Sequence, residues 1–132
     1  MWNNEIDTTV LSRLRSRGNA DLKKKYADLT FTDDNMAAVT PKFPTVFYLN
    51  ISSPERGQTL DGKTVNAVLH SVQIEVTDNG ETNLAVKTVM NKMCDYMKDM
   101  GYEIVSSPEF RNTTVRRQVA RFRRMVGAND VI

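Results

Sequence analysis

From Val65 to Thr77 the chain alternates between two residue classes. Val68, Val72, Ile74 and Val76 fall on one side of an extended backbone, while Ser71, Gln73, Glu75 and Thr77 fall on the other. A strand repeats every two residues, so this pattern describes a sheet with one apolar face that must be covered and one polar face that meets water. The cover has to come from elsewhere in a chain of 132 residues, 40% of them apolar and 26% charged. A chain of that size and composition folds as one domain that buries roughly two thirds of its unfolded surface, and needs no disulfide or metal staple.

The residues after the strand supply the cover. Asp78-Asn79-Gly80-Glu81 is a turn with capping-box spacing from Asp78 to Glu81. Ala85, Val89, Met93, Tyr96, Met97 and Met100 then recur at helical spacing, bordered by Val86, Met90 and Cys94, and Gly101 is expected to close the helix. An earlier helix is predicted from Trp2, Ile6, Val10 and Leu14. Asn3 or Asn4 is its expected cap, Glu5 and Asp7 lie in its first turn, Arg13, Arg15 and Arg17 in its last, and Gly18 is its stop. Leu22 and Tyr26 predict a second, short helical turn with Lys23, Lys24 and Lys25 facing water.

Residues Leu29 to Lys42 read as turn-rich, and Pro41 and Pro44 push Thr40 and Phe43 toward extended backbone. A strand is predicted from Phe43 to Ser52, with Phe43, Phe47, Leu49 and Ile51 on its buried side and Asn50 and Ser52 on the other. Ser53 to Thr64 is expected to be a long hairpin connection, with a tight turn at Asp61-Gly62. Tyr102 to Val105 reads as a short strand and Ser106-Ser107-Pro108 as a break. Val115 to Val126 reads as a final long strand with Ala120, Phe122 and Val126 inward. The expected class is α+β: a single domain over 1–132 with a largely antiparallel sheet of about four strands and helices packed on one face.

Catalytic chemistry finds little support. His70 and Cys94 are the lone members of their types and share no spacing motif, so core packing is the better reading of both than a nucleophile pair. Zinc needs roughly four ligands and these two residues supply half of them. The glycines stand singly at turns or element ends, without a phosphate-cradling loop, and the serines lie outside any nucleophile elbow. No enzyme activity, catalytic residue, cofactor or metal is therefore expected. The longest apolar runs, such as Val46 to Leu49, fall far short of the roughly 20 residues that span a bilayer. Met1 to Asp7 begins acidic and amphipathic, without the basic start of a secretory signal, so folding in a cytoplasm is expected.

Charge is unevenly spread. Arg111 to Arg124 holds six arginines and no acid, so in a chain of net charge +2 everything outside that segment stands at −4. Arg117, Arg121 and Arg123 alternate with Val119 and are predicted to project from the face opposite Phe122; Arg116 and Arg124 share Phe122's register near the strand ends. Such a row suits a solvated face, intersubunit ion pairs or phosphate contacts. Nucleic-acid recognition usually adds stacking aromatics or an inserted helix. Only Phe122 is offered here, pointing inward, and protein–protein pairing is favoured.

Several segments together resemble the tail terminator (tail completion) proteins of long-tailed bacteriophages and prophages. They are Lys42-Phe43-Pro44-Thr45-Val46, Leu60-Asp61-Gly62 before Val65-Asn66-Ala67-Val68, the strand Val72-Gln73-Ile74-Glu75-Val76, the crossover helix, and the ending from Val119 to Ile132. Residues 19–40 match least. The resemblance implies a virion protein at the neck end of the tail, assembled in the host cytoplasm. It also implies a homo-oligomer, typically a hexameric ring, that binds the last ring of tail-tube protein, stops polymerisation and presents a surface to a head-completion or connector protein. No cofactor and no membrane is implied, and DNA passing through the ring is a non-specific neighbour. Under this reading Arg116, Arg117, Arg121, Arg123 and Arg124 are expected at subunit or lumen contacts, and Glu55, Arg56 and Asp61 at contacts with the tube or a neighbouring ring. The alternatives are another head–tail joining protein of the neck, or a DNA-binding module using the arginine-rich strand.

Overall fold

The computed structural model describes residues 2–33, 42–52, 55–58, 65–112 and 115–127, with the side chains of 2–4, 52, 55–58 and 65–66 outside the description. In chain order the elements are α1 (Trp2–Leu22), β1 (Thr30–Thr32), β2 (Thr45–Ser52), β3 (Glu55–Gln58), β4 (Val65–Asp78), α2 (Leu84–Asp99), β5 (Glu103–Phe110) and β6 (Arg116–Gly127). The sheet runs β1-β2-β4-β6-β5, with β3 also on β4, and every pairing is antiparallel except β1 with β2.

β4 is the spine, paired with β6 from Ala67 to Asp78 on one edge and with β2 and β3 on the other. Residues directly across a ladder share a face, so β4's inward set dictates its neighbours'. Val46, Tyr48, Ala120, Phe122 and Val126 stand opposite Val76, Ile74, Ile74, Val72 and Val68 in turn, and all are buried. Both helices cover this side. Ile6, Val10, Leu11, Leu14 and Leu22 of α1 join Val86, Val89, Met90, Met93 and Met97 of α2 in one continuous cluster with the strands. The α+β class, the single antiparallel-dominated sheet and the one-sided helical cover are as the sequence suggests.

The details differ in ways that have physical causes. Among the described residues there are six strands, not about four. Thr30–Thr32, in the supposedly turn-rich stretch, pairs in parallel with β2, which sets Phe31 beside Val46 in the core. Ser53 to Thr64 is not all connection. After an irregularity between Asn50 and Ser52, β3 continues in the register that Ser52 takes with Ser71, and Glu55 faces Val68. The Asp61-Gly62 turn lies outside the described residues. Ser106-Ser107-Pro108 bends the ladder without ending it: β5 runs to Phe110 with register shifts on either side of Ser106. A proline is tolerated there because β5 is an edge strand with one side free of ladder bonds.

Gly18 does not stop α1, which runs on to Leu22 and ends in a turn where Lys25 and Tyr26 N–H groups donate to Leu22 O. The predicted second helix is that turn, and the arginines sit mid-helix. Asn3 and Asn4 lie inside α1 and do not cap it. The capping box also fails. Asp78 ends β4 and accepts from Gly80 N–H at 3.0 Å, and α2 starts after Asn83. Finally, β2 presents the opposite face from the one expected: Val46 and Tyr48 go inward, leaving Phe47 and Leu49 half-buried on the side without helices and Ile51 46% exposed. Phe43 lies just before the strand, at the cis bond to Pro44.

Candidate interaction surface

The side of the sheet without helices is ruled by cross-strand rows. Phe47, Glu75, Val119 and Glu109 form one row; Leu49, Gln73, Arg121 and Ser106 form the next; Ser71, Arg123 and Glu103 the third. Arg117 stands beside Thr77 at one end, and Met125, 49% exposed, pairs with Leu69 at the other. The expected projection of Arg117, Arg121 and Arg123 from the face opposite Phe122 is found. Arg116 and Arg124 lie on Phe122's side, also as expected.

The three outward guanidiniums meet partners within their own chain. Arg117 lies 3.9 Å from Glu75, and Arg123 pairs with Glu103. Arg121 Nε donates to Gln73 Oε1 at 3.0 Å, and Gln73 Nε2 donates to Glu75 Oε1 at 2.8 Å, which links the rows. Surface ion pairs contribute about 0–1 kcal/mol each, so the ladder orders the side chains more than it stabilises the fold. Arg117 Nε is buried with no hydrogen-bond partner, and Arg121 has no carboxylate partner among the described residues.

Arg116 and Arg124 hold the two ends of α2 to the sheet. Arg116 donates to Glu81 O at 2.6 Å, Gly80 O at 3.3 Å and Asn83 Oδ1 at 3.4 Å, just before the helix. Arg124 Nη1 donates to Met100 O at 2.8 Å, at the carbonyl end where a cation also meets the negative pole of the helix dipole. Of the second predicted set, the backbones of Glu55 and Arg56 lie in strand β3 and not in a loop. Asp61 lies outside the described residues.

Sequence reasoning missed a buried polar cluster under α1. His70 is fully buried, with Nε2 2.7 Å from Asp7 Oδ1 and Nδ1 2.6 Å from Tyr102 Oη. A carboxylate only accepts, so Nε2 carries the proton and, in the neutral ring, Nδ1 accepts from the Tyr102 hydroxyl. Tyr48 Oη donates to Asp7 Oδ1 at 2.7 Å and Asn50 Nδ2 to Asp7 Oδ2 at 2.9 Å. Burial alone would raise the Asp7 carboxyl, but the hydrogen bonds from His70, Tyr48 and Asn50 hold it below its ordinary value. Burial pushes the Tyr48 hydroxyl up, and the neighbouring Asp7 carboxylate adds to the rise. Nothing in the spacing of residues 7 and 70 joins them; the one available signal was a histidine on an inward register, which has to find partners.

This cluster is not a catalytic dyad with Cys94. Both ring nitrogens of His70 are engaged by Asp7 and Tyr102, and burial raises the Cys94 thiol, away from the reactive thiolate. Among the described residues, no group of three or more His, Cys, Asp or Glu side chains is placed to hold a metal ion, and no helix is long and apolar enough to cross a membrane. Compared with known proteins, the chain matches no family model and no curated relative.

Proposed function

We propose that this protein is a self-assembling structural component of the tail-terminator type, whose copies close into a ring that caps a tail tube at its head-proximal end. One observation carries the reading. Among the described residues the sheet has a helical layer on one side only, and its other side combines half-buried Phe47 and Leu49 and exposed Met125 with an ordered arginine–glutamate ladder. Apolar area bordered by a ladder of paired charges suits a protein partner, whose own surface can match both the apolar and the mixed-charge parts. The segments quoted above, from Lys42-Phe43-Pro44 to the arginine-rich strand, resemble that family and add to the case.

Function in such a protein resides in surfaces that dock copies and a filament tip. A ring of heterologous contacts buries the growing end of the tube and offers on its far side a surface that tube subunits do not match, so polymerisation stops. The far surface serves a head-completion or connector protein. A DNA-binding module fits less well, because two of the three outward arginines are already met by Glu75 and Glu103.

The test is to add purified protein to assembling tube protein and to measure tube lengths by electron microscopy. Shortened tubes with a terminal ring are expected at equimolar ratio. Unchanged lengths, with the added protein monomeric throughout, would remove the proposal's mechanism.

A further inference from the structure

Four of the large apolar side chains that stand exposed among the described residues fall into two groups. Met125, opposite half-buried Leu69, and Ile51, in the irregularity of β2 beside Ser71, lie with Leu49 toward one end of the open sheet face. Leu84, 62% exposed at the start of α2, and Phe110, 37% exposed at the end of β5, form the other group. Lys87, one helical turn after Leu84, brings its Nζ to 5.6 Å from the Phe110 ring centre, and Asn112 Nδ2 donates to Asn83 Oδ1 at 3.5 Å, so the strand end and the helix start make one surface.

The two groups cannot meet within one molecule. Through the ladder Phe110 stands level with Gln118 and Val76, and Met125 with Leu69, which sets the groups roughly 20 Å apart along the strands. They also face opposite ways, since Phe110 is on the side of α2 and Met125 on the side without helices. Their polar borders are complementary. Lys87 is exposed and has no carboxylate partner among the described residues. Glu103, in the row beside Met125, meets Arg123 through Oε1, and its Oε2 has no partner among the described residues.

We propose that Leu84, Lys87 and Phe110 of one copy dock on the Leu49 and Met125 end of the open face of the next, with the Lys87 ammonium at Glu103 Oε2. This pairing rests on the self-assembly proposed above and supplies the second half of its contact. Two unlike patches at opposite ends suit a head-to-tail contact, the kind that closes a ring, whereas a two-fold contact would press the Lys87 patch on its own copy with no carboxylate between.

Mixing variants tests the pairing. Leu84→Asp places an acid in the first turn of α2, where the helix dipole favours it, so circular dichroism should match the parent. In sedimentation velocity, oligomer mass should fall for Leu84→Asp and for Leu49→Asp combined with Met125→Asp, each contact weakened roughly tenfold or more. Mixed in equal amounts, the two variants should form a complex of two chains and nothing larger, because each keeps the half that the other lacks. A mixture that stays monomeric would overturn the pairing, as would self-association of the Leu49, Met125 variant through its intact Leu84 patch. Parent-like assembly by Leu84→Asp would overturn the pairing alone, and loss of tube capping in that variant would then give the Leu84 patch to the tube. A parent chain that is monomeric at every concentration would overturn self-assembly as well.

Discussion

Gly18 shows how a single residue can carry two opposed meanings. In a linear reading, glycine after a run of arginines stops a helix. In the structure it is buried inside α1, near its C-terminal end, and a Cβ there would lie 2.9 Å from Cε1 of Phe31 and closer still to Cζ. The glycine is thus the gap that lets β1 reach the helix. Gly18→Ala should therefore lower stability by about 1 kcal/mol, with overpacking of about 1–3 kcal/mol outweighing a helix-propensity gain of about 1 kcal/mol. Urea unfolding checks this. In a Phe31→Leu background the same alanine should be neutral or stabilising; a loss of equal size there would point away from the ring contact.

At the scale of elements, α1 is tied to the sheet through one carboxylate. Asp7 accepts from His70, Tyr48 and Asn50, which join α1 to β4 and β2. Because its folded pKa is depressed, its contribution is fully present above the unfolded value near 3.8 and is lost as pH falls through the lower folded one. Asp7→Asn should cost about 2 kcal/mol at neutral pH, in the range for a hydrogen bond to a charged group. The gap between variant and parent should hold down to about pH 4 and narrow below it. A gap that stays constant through acid unfolding would mean that the charge of Asp7 is not what matters. Arg124→Ala addresses the other helix. Without its bond to Met100 O, amide exchange at the last turn of α2 should speed up while the first turn, held by Arg116, stays protected.

At the scale of the whole molecule, the asymmetry of the two sheet faces organises what the chain can do. One face is sealed by two helices, and the other is left with Leu49 and Met125 among paired charges. If this face docks further copies, Leu49→Asp combined with Met125→Asp should reduce oligomer mass in analytical ultracentrifugation and leave the far-ultraviolet circular dichroism unchanged. Neutralising Arg121, whose partner is the uncharged Gln73, should weaken assembly without breaking an internal ion pair. Oligomer mass unaffected by all three substitutions would move the interface off this face.

Much of this was legible in the residues themselves because it rests on local period. Alternation over Val68 to Val76 specified which side of β4 is buried, helical spacing from Ala85 to Met100 specified the covering helix, and the offset of Arg117, Arg121 and Arg123 from Phe122 specified which arginines face outward. Tertiary structure alone decided what depends on partners distant in the chain. Register with β4 turned Val46 and Tyr48 inward against the stronger apolar pattern of Phe47 and Leu49, because a strand's faces are assigned by the ladder it joins. The acids that meet the arginines, the aspartate that meets His70 and the ring that meets Gly18 come from other elements. Residue type tells which side chains need a partner, and only the folded chain supplies it.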